Sequence, residues 1–284
     1  MHTVLELLNL TTNYFEQKKI DSPRLNAELL LAETLKCRRL DLYLSFDKPV
    51  NQIEVDRYRE FVKRRGNREP LQYIIGDVEF YGLKFTVKPG VLIPRQETEV
   101  LIEAVLSHYP KEAELNILDI GSGSGILAVT LAALFPNSSV NALDKSSDAL
   151  AIAKENAELH NVAERISFYE VDILKEEFVS KTNFHLVVSN PPYVSQDEFK
   201  TLQKEILDYE PDFAVTDFAD GLTFYKKIIP LGNKILSPAG NLFFEVGAGQ
   251  ASSVEKIFEG EGFQRIETWS DYAGIKRVVK GEKR

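Results

Sequence analysis

One cysteine, Cys37, occurs in 284 residues, which excludes an internal disulfide and any cysteine-rich metal site. The four histidines, His2, His108, His160 and His185, are scattered without ligand spacing, so no metal is expected. Long apolar runs are also missing: the longest, GILAVTLAALF from Gly125 to Phe135, is far too short to span a bilayer, and no membrane partner is expected. The opening MHTVLELLNL carries no basic leader and has Glu6 inside its apolar run, which argues against a secretory signal and for a cytoplasmic protein. Basic surplus is lacking too, since the net charge is −9. Residues 1–94 hold 15 Lys+Arg against 13 Asp+Glu, whereas the remainder holds 19 against 30, so the acidity sits in the larger part. Gripping duplex DNA through its phosphates requires a basic face, and no stable nucleic acid binding is expected. The one basic cluster, RYREFVKRRGNRE from Arg57 to Glu69, lies on a helical pattern whose solvated outer face accounts for it without a ligand.

What is present is an ordinary globular composition, 44% apolar and 27% charged, over a length that suits one large domain or two smaller ones. Residues 1–70 read as a small helical bundle. TVLELLNLTTNYFEQKK, SPRLNAELLLAETLK and NQIEVDRYREFVKRRG each place apolar residues three and four apart. Asp21-Ser22-Pro23 reads as a cap followed by proline at a helix start. Residues 71–96, rich in aromatic and branched side chains and punctuated by glycine, read as a β-hairpin connector. From 97 to 284, short apolar runs (NILDI, SVNAL, ISFYEV, HLVVS, NLFFEV) alternate with helical patterns, which predicts an α/β fold with a parallel sheet covered on both faces. FQRIET and IKRVVK have no helix between them and predict an antiparallel pair at the sheet edge.

Chemistry is first suggested by ILDIGSGSGILA. Gly121, Gly123 and Gly125, with Ser122 and Ser124 between them, fall directly after a strand and before a helix. Glycines there let the chain turn tightly and a ligand approach, and the following helix offers N–H groups at its start. The spacing is G-x-G-x-G, with Ile126 where a dinucleotide fingerprint needs glycine, so it counts against a nicotinamide dehydrogenase. The next strand ends at Asp144, where a carboxylate can accept both hydroxyls of an adenosine ribose. A third ends at Asp172, beside Ile173, where an adenine ring can be held. These three strand ends in register resemble the nucleotide-binding half of the S-adenosylmethionine-dependent methyltransferases.

The fourth strand ends in VVSNPPYVS. Stopping a strand needs one proline, and this corner has two. The residue before a proline is pushed towards an extended conformation, which holds the Asn190 side chain projecting. Its amide oxygen and the Pro191 carbonyl are two acceptors able to converge on one planar –NH₂ group, with Pro192 stiffening the corner and Tyr193 packing on the flat face. Such a site suits a delocalised nitrogen that gains positive charge as it attacks a sulfonium methyl group. NPPY resembles the signature of methyltransferases acting on adenine, cytosine or glutamine amino groups, and the residues alone leave that substrate open.

The segments EPLQYIIGDVEFYGLKF (Glu69 to Phe85), VLIPRQETE (Val91 to Glu99), DIGSGSG, SNPPYV and DYAGIKRVV (Asp271 to Val279) are similar to those of the bacterial protein-(glutamine-N5) methyltransferases that modify class I peptide-chain release factors. The resemblance runs through nearly the whole chain. It implies a class I S-adenosylmethionine-dependent methyltransferase domain (Rossmann-like) behind a helical substrate-docking domain, with release factors as partner. The implied target is the glutamine of their Gly-Gly-Gln motif, and the implied product of the cofactor is S-adenosylhomocysteine. By position, Gly121, Ser122, Gly123, Ser124, Gly125, Asp144, Asp172, Ile173 and Asn190 are the implied cofactor contacts. Asn190, Pro191, Pro192 and Tyr193 are the implied glutamine site, with Asn190, Pro191 and Tyr193 acting in catalysis. IPRQETE is implied to border the substrate pocket; on its residues alone it is a stopped strand and a helix start, with Glu97 and Glu99 favourable there. Rival readings are a glutamine methyltransferase of a ribosomal protein, an adenine-N6 methyltransferase of nucleic acid, and a cofactor-binding module without catalysis.

Overall fold

The computed structural model describes every residue except 1, 177 and 181. It divides into two compact units, Met1–Asp77 with Gln203–Tyr209, and Val78–Leu202 with Glu210–Arg284.

The first unit is helical: α1 (Val4–Gln17), α2 (Pro23–Leu35), α3 (Arg39–Tyr43), α4 (Gln52–Gly66) and α5 (Leu71–Ile75), joined by the segment at 203–209. α1 and α4 start in reciprocal caps, Thr3 with Glu6 and Asn51 with Glu54, which satisfy N–H groups that a helix start leaves unpaired. The apolar faces of α1, α2 and α4 bury Leu8, Phe15, Leu30 and Tyr58 in one core. Ser22 departs from expectation. It is left-handed at φ 49° and makes no side-chain cap; Asn26 instead donates its amide to the Asp21 and Ser22 carbonyls.

The basic cluster is largely an internal feature. Arg65 is buried, donating from Nε to Asn26 Oδ1 (2.8 Å) and from Nη2 to Glu205 Oε1 (3.2 Å), while Arg68 Nη1 reaches the same oxygen (3.2 Å). Arg64 pairs with Glu69. Arg57, Arg59 and Lys63 remain exposed. Arg65→Ala is expected to destabilise this unit by about 2–3 kcal/mol through the lost charge-assisted bonds. Denaturant unfolding measures it, and a loss under about 0.5 kcal/mol, the range of ordinary surface changes, would show the pair to be screened by water.

The second unit opens at Val78, within the hairpin of β1 (Asp77–Phe80) and β2 (Leu83–Thr86). Residues 71–75, expected as strand, are helical: Pro70 sets the entry and Gly76, at φ 94°, ends the turn. There follow α6 (Glu99–His108), β3 (Asn116–Ile120), α7 (Ile126–Leu134), β4 (Ser139–Asp144), α8 (Ser147–Leu159), β5 (Ile166–Glu170) and β6 (Phe184–Ser189). The chain continues through α9 (Gln196–Phe199), α10 (Lys204–Tyr209, of the first unit) and α11 (Asp212–Val215), none of which the sequence pattern announces. It closes with α12 (Thr223–Ile235), β7 (Leu236–Glu245), α13 (Ala251–Gly260), β8 (Gln264–Ser270) and β9 (Lys276–Glu282).

The seven-stranded sheet has the order β5-β4-β3-β6-β7-β9-β8, parallel except for the antiparallel β9, which pairs with β7 and β8. The expected edge pair is therefore present. Period-two alternation sends Ile117, Leu186 and Phe243 to one apolar core and their neighbours Leu118, Val187 and Phe244 to the other, so both faces are covered. Because β4 and β6 flank β3, the strand order reverses at β3, and the crevice at its carboxyl end is where such sheets bind ligands.

Candidate active site

At the end of β3 the chain turns through Gly121, Gly123 and Gly125 with φ of 78°, 54° and 83°. A Cβ at 121 or 123 would meet nothing within 4 Å, so these two present open backbone to a ligand. A Cβ at 125 would lie 2.9 Å from the Ala153 Cβ, so this glycine serves the packing of α7 on α8. The Gly121 and Ser122 N–H groups both donate to the Leu143 carbonyl (2.8 and 2.9 Å), tying the turn to β4. Asp144 braces it further, accepting from Gly123 N–H on Oδ2 (2.8 Å) and from Ser146 N–H on Oδ1 (2.9 Å). Each oxygen keeps acceptor capacity for a ligand hydroxyl. Burial raises the Asp144 carboxyl pKa, and these N–H groups only partly offset it.

A cavity enclosing about 930 Å³ of empty space, part of it open to solvent, lies at these strand ends. Gly121, Ser122, Gly123, Ser124, Asp144, Asp172, Ile173, Asn190 and Pro192 form part of its wall. Gly125, Pro191 and Tyr193 do not. Asp172 accepts from Leu174 N–H (3.1 Å) and pairs with Lys175 (3.0 Å), and Ile173 is buried beside it. Gly90, Val91, Leu92, Pro94 and Arg95 also line the cavity, which puts two residues of the IPRQETE segment, Pro94 and Arg95, on its wall. Glu210 pins that segment: nearly buried, it accepts from Ile93 N–H (3.1 Å) and from Arg95 Nη2 (2.6 Å).

The Asn190 corner is held from behind. Asn190 Nδ2 donates to Thr98 Oγ1 at 3.2 Å, and Tyr193 Oη donates to Glu245 Oε1 at 3.0 Å. Gln250 Nε2 donates to the Tyr193 carbonyl (2.8 Å), and Tyr225 Oη to the Glu245 carbonyl (2.9 Å). Gly221 is required here. At φ 78°, a Cβ would come within 2.4 Å of the Tyr193 carbonyl oxygen, and Gly221→Ala is expected to lower the melting temperature and displace the corner. A thermal melt alongside the methylation rate measures both, and an unchanged melt would contradict the crowding. Burial raises the Tyr193 hydroxyl pKa, with the neighbouring Glu245 charge adding to it. Glu245 itself is pushed up to about 7 by burial, against hydrogen bonding from Thr98 and Tyr193 that favours its charged form.

Two family models match the chain, a PrmC N-terminal domain over residues 6–76 and a methyltransferase small domain over residues 83–212. The release factor glutamine methyltransferase of Geobacter sulfurreducens is 42% identical over 279 residues, covering 98% of this chain and 96% of that protein. That of Chlorobaculum tepidum is 40% identical over 282 residues, covering 97% and 95%. The chain belongs to the release factor glutamine methyltransferase family. Among solved structures, a T. thermophilus 16S rRNA N2 G1207 methyltransferase in complex with AdoMet and guanosine superposes with TM-score 0.53 at 18% identity, over 73% of this chain and 50% of that one. A ribosomal protein L11 methylase from Lactobacillus delbrueckii subsp. bulgaricus gives 0.50 at 21% identity, over 70% and 84%. These share the class I S-adenosylmethionine-dependent methyltransferase fold.

In this member of the release factor glutamine methyltransferase family, sequence reasoning passes over four residues that shape the site. Asp119, fully buried, accepts from Ala128 N–H on Oδ2 (3.2 Å), so one N–H at the start of α7 is already taken. Its Oδ1 has no hydrogen-bond partner among the described residues, and burial pushes its carboxyl up to about 7. An acidic residue closing the strand just before the glycines is the signal that could have found it. Phe213 reaches the wall from α11, with the Lys145 ammonium 4.3 Å from its ring centroid. Thr98 and Glu245 are the other two. Among the described residues no helix is long and apolar enough to cross a membrane, and no group of three or more His, Cys, Asp or Glu side chains is placed to hold a metal ion.

Proposed function

We propose that this protein methylates the side-chain amide nitrogen (N5) of the glutamine in the Gly-Gly-Gln motif of class I release factors, in the cytoplasm where those factors act. The observation that carries the reading is full-length identity of 42% to a release factor glutamine methyltransferase, with an intact Asn190 corner facing the same cavity as the glycine turn. The relatives do not favour the ribosomal-protein or adenine alternatives.

The cavity fits S-adenosylmethionine: it offers open glycine backbone at 121 and 123, a braced acceptor at Asp144, and an apolar wall at Ile173. Bound there, the cofactor supplies an electrophilic methyl group on a sulfonium. Asn190 Oδ1 and the Pro191 carbonyl accept hydrogen bonds from the glutamine –NH₂ and stabilise the positive charge that develops on it. The fixed corner holds the amide in line for transfer, which lowers the entropic part of the barrier. Tyr193 backs the corner rather than lining the cavity, so its role is to set the backbone that presents the Pro191 carbonyl.

Methyl-labelled S-adenosylmethionine, offered with a release factor, its Gln→Ala version and unmethylated DNA, tests the reading. Label on the intact factor alone is expected; label on DNA would overturn the substrate. The exposed Arg57, Arg59 and Lys63 are the part of the basic cluster left for docking. Reversing these three charges is expected to raise KM for intact release factor more than for a short Gly-Gly-Gln peptide. Equal changes would remove the docking role.

A further inference from the structure

We propose that Thr98 and Glu245 are positioning residues that fix which way round the Asn190 amide stands, with its oxygen towards the cavity. The proposal rests on the glutamine reading above and adds a residue set to it. An asparagine amide is nearly symmetric in shape, and reversing it would replace the acceptor by an –NH₂ facing the substrate –NH₂. Something must decide the polarity.

The geometry supplies a chain of donors with one direction. Glu245, fully buried at the end of β7, is an acceptor when ionised. It accepts a hydrogen bond from the Tyr193 hydroxyl on Oε1, and the Thr98 hydroxyl, also fully buried, lies where it favours the carboxylate charge. Oε2 has no hydrogen-bond partner among the described residues, which leaves it open to the Thr98 proton. With its proton turned to Glu245, Thr98 Oγ1 can only accept from Asn190, and Asn190 Nδ2 donates to it at 3.2 Å. Oδ1 of the same amide is thereby turned away from Thr98. Thr98 and Glu245 lie off the cavity wall, so they act through Asn190.

Protonated Glu245 becomes a donor to Thr98, whose own proton is then free for Asn190 Oδ1, and the amide reverses. The groups facing Glu245 are Tyr193 from the corner, Arg277 from β9, Glu97 from the turn before α6, and Tyr225 from α12. With the Glu245 carboxyl at about 7, kcat is expected to fall as pH drops through that value. Its linkage to stability runs the other way. Because the folded carboxyl holds its proton more tightly than the unfolded one, Glu245's own contribution to folding grows as pH falls from about 7. Acid inactivation by this route is therefore not unfolding.

The test is kcat for release factor against pH in wild type, Thr98→Val, Thr98→Ser and Glu245→Gln, with S-adenosylmethionine affinity measured by calorimetry. Thr98→Val is expected to lose about ten- to hundredfold in kcat, with cofactor affinity changed less than about threefold and Thr98→Ser restoring most of the rate. Glu245→Gln, able to donate to Thr98 at any pH, is expected to be slow and to lack the acid limb. Full activity in Thr98→Val, no recovery in Thr98→Ser, or an acid limb retained in Glu245→Gln would each overturn the proposal. Should Thr98→Val fail to fold, the Glu245→Gln pH profile still decides. A wild-type protein that leaves the release factor unlabelled defeats the substrate reading instead, and is seen before any variant is compared.

Discussion

Asn190→Ala is expected to lower kcat for release factor methylation by about 10²–10³-fold, the loss typical of removing one group aimed at developing charge. The glutamine amide is a poor nucleophile because its lone pair is delocalised, and attack requires charge to build on nitrogen. Two acceptors fixed before the reaction stabilise that charge without reorganising, and alanine removes one. It also leaves the buried Thr98 hydroxyl without the Asn190 amide. KM for release factor should change much less, because docking of the body does not use this side chain. Single-turnover rates with saturating cofactor isolate the chemical step. A variant that methylates at full rate would contradict the assignment, and a loss confined to KM would make Asn190 a binding residue alone.

Asp144→Ala is expected to raise the dissociation constant of S-adenosylmethionine by about 10²–10³-fold, as two charge-assisted hydrogen bonds to a ribose are worth about 1.5–3 kcal/mol each and are not fully additive. The same carboxylate accepts from Gly123 and Ser146 N–H, so the alanine variant also loosens the glycine turn. Asp144→Asn keeps one acceptor oxygen but turns an –NH₂ towards one of these two N–H donors, so its affinity should fall between wild type and alanine and its melting temperature without cofactor should fall below wild type. Burial raises the Asp144 carboxyl, so affinity should weaken on acidification earlier than an exposed aspartate would allow. Calorimetric titration over pH measures both, and an affinity unchanged in Asp144→Ala would remove this residue from the cofactor site.

The parallel strands were legible because a strand buried on both faces must be apolar throughout, as HLVVS is, and the edge pair because no helical pattern separates FQRIET from IKRVVK. Leu71–Ile75 was misread for a related reason: branched residues fit a strand, but Pro70 and Gly76 enclose too few residues for anything beyond one helical turn. Site residues that follow a strand end directly, such as Asp144 and Asn190, could be placed by register. Thr98 and Glu245 could not. Asn190 meets Thr98 across 92 residues and Tyr193 meets Glu245 across 52; β6 beside β7 brings about the second pairing, and no local spacing encodes either.

The membership of Gln203–Tyr209 in the first unit makes that unit discontinuous in the chain. A cut after Asp77 would not yield two independent parts: the N-terminal fragment would keep Arg65 and Arg68 without Glu205, and the remainder would carry a helix whose Glu205 has lost both basic partners. A chimera that exchanges docking units between family members must therefore transplant both pieces together, with Arg65, Arg68 and Glu205 taken from one parent.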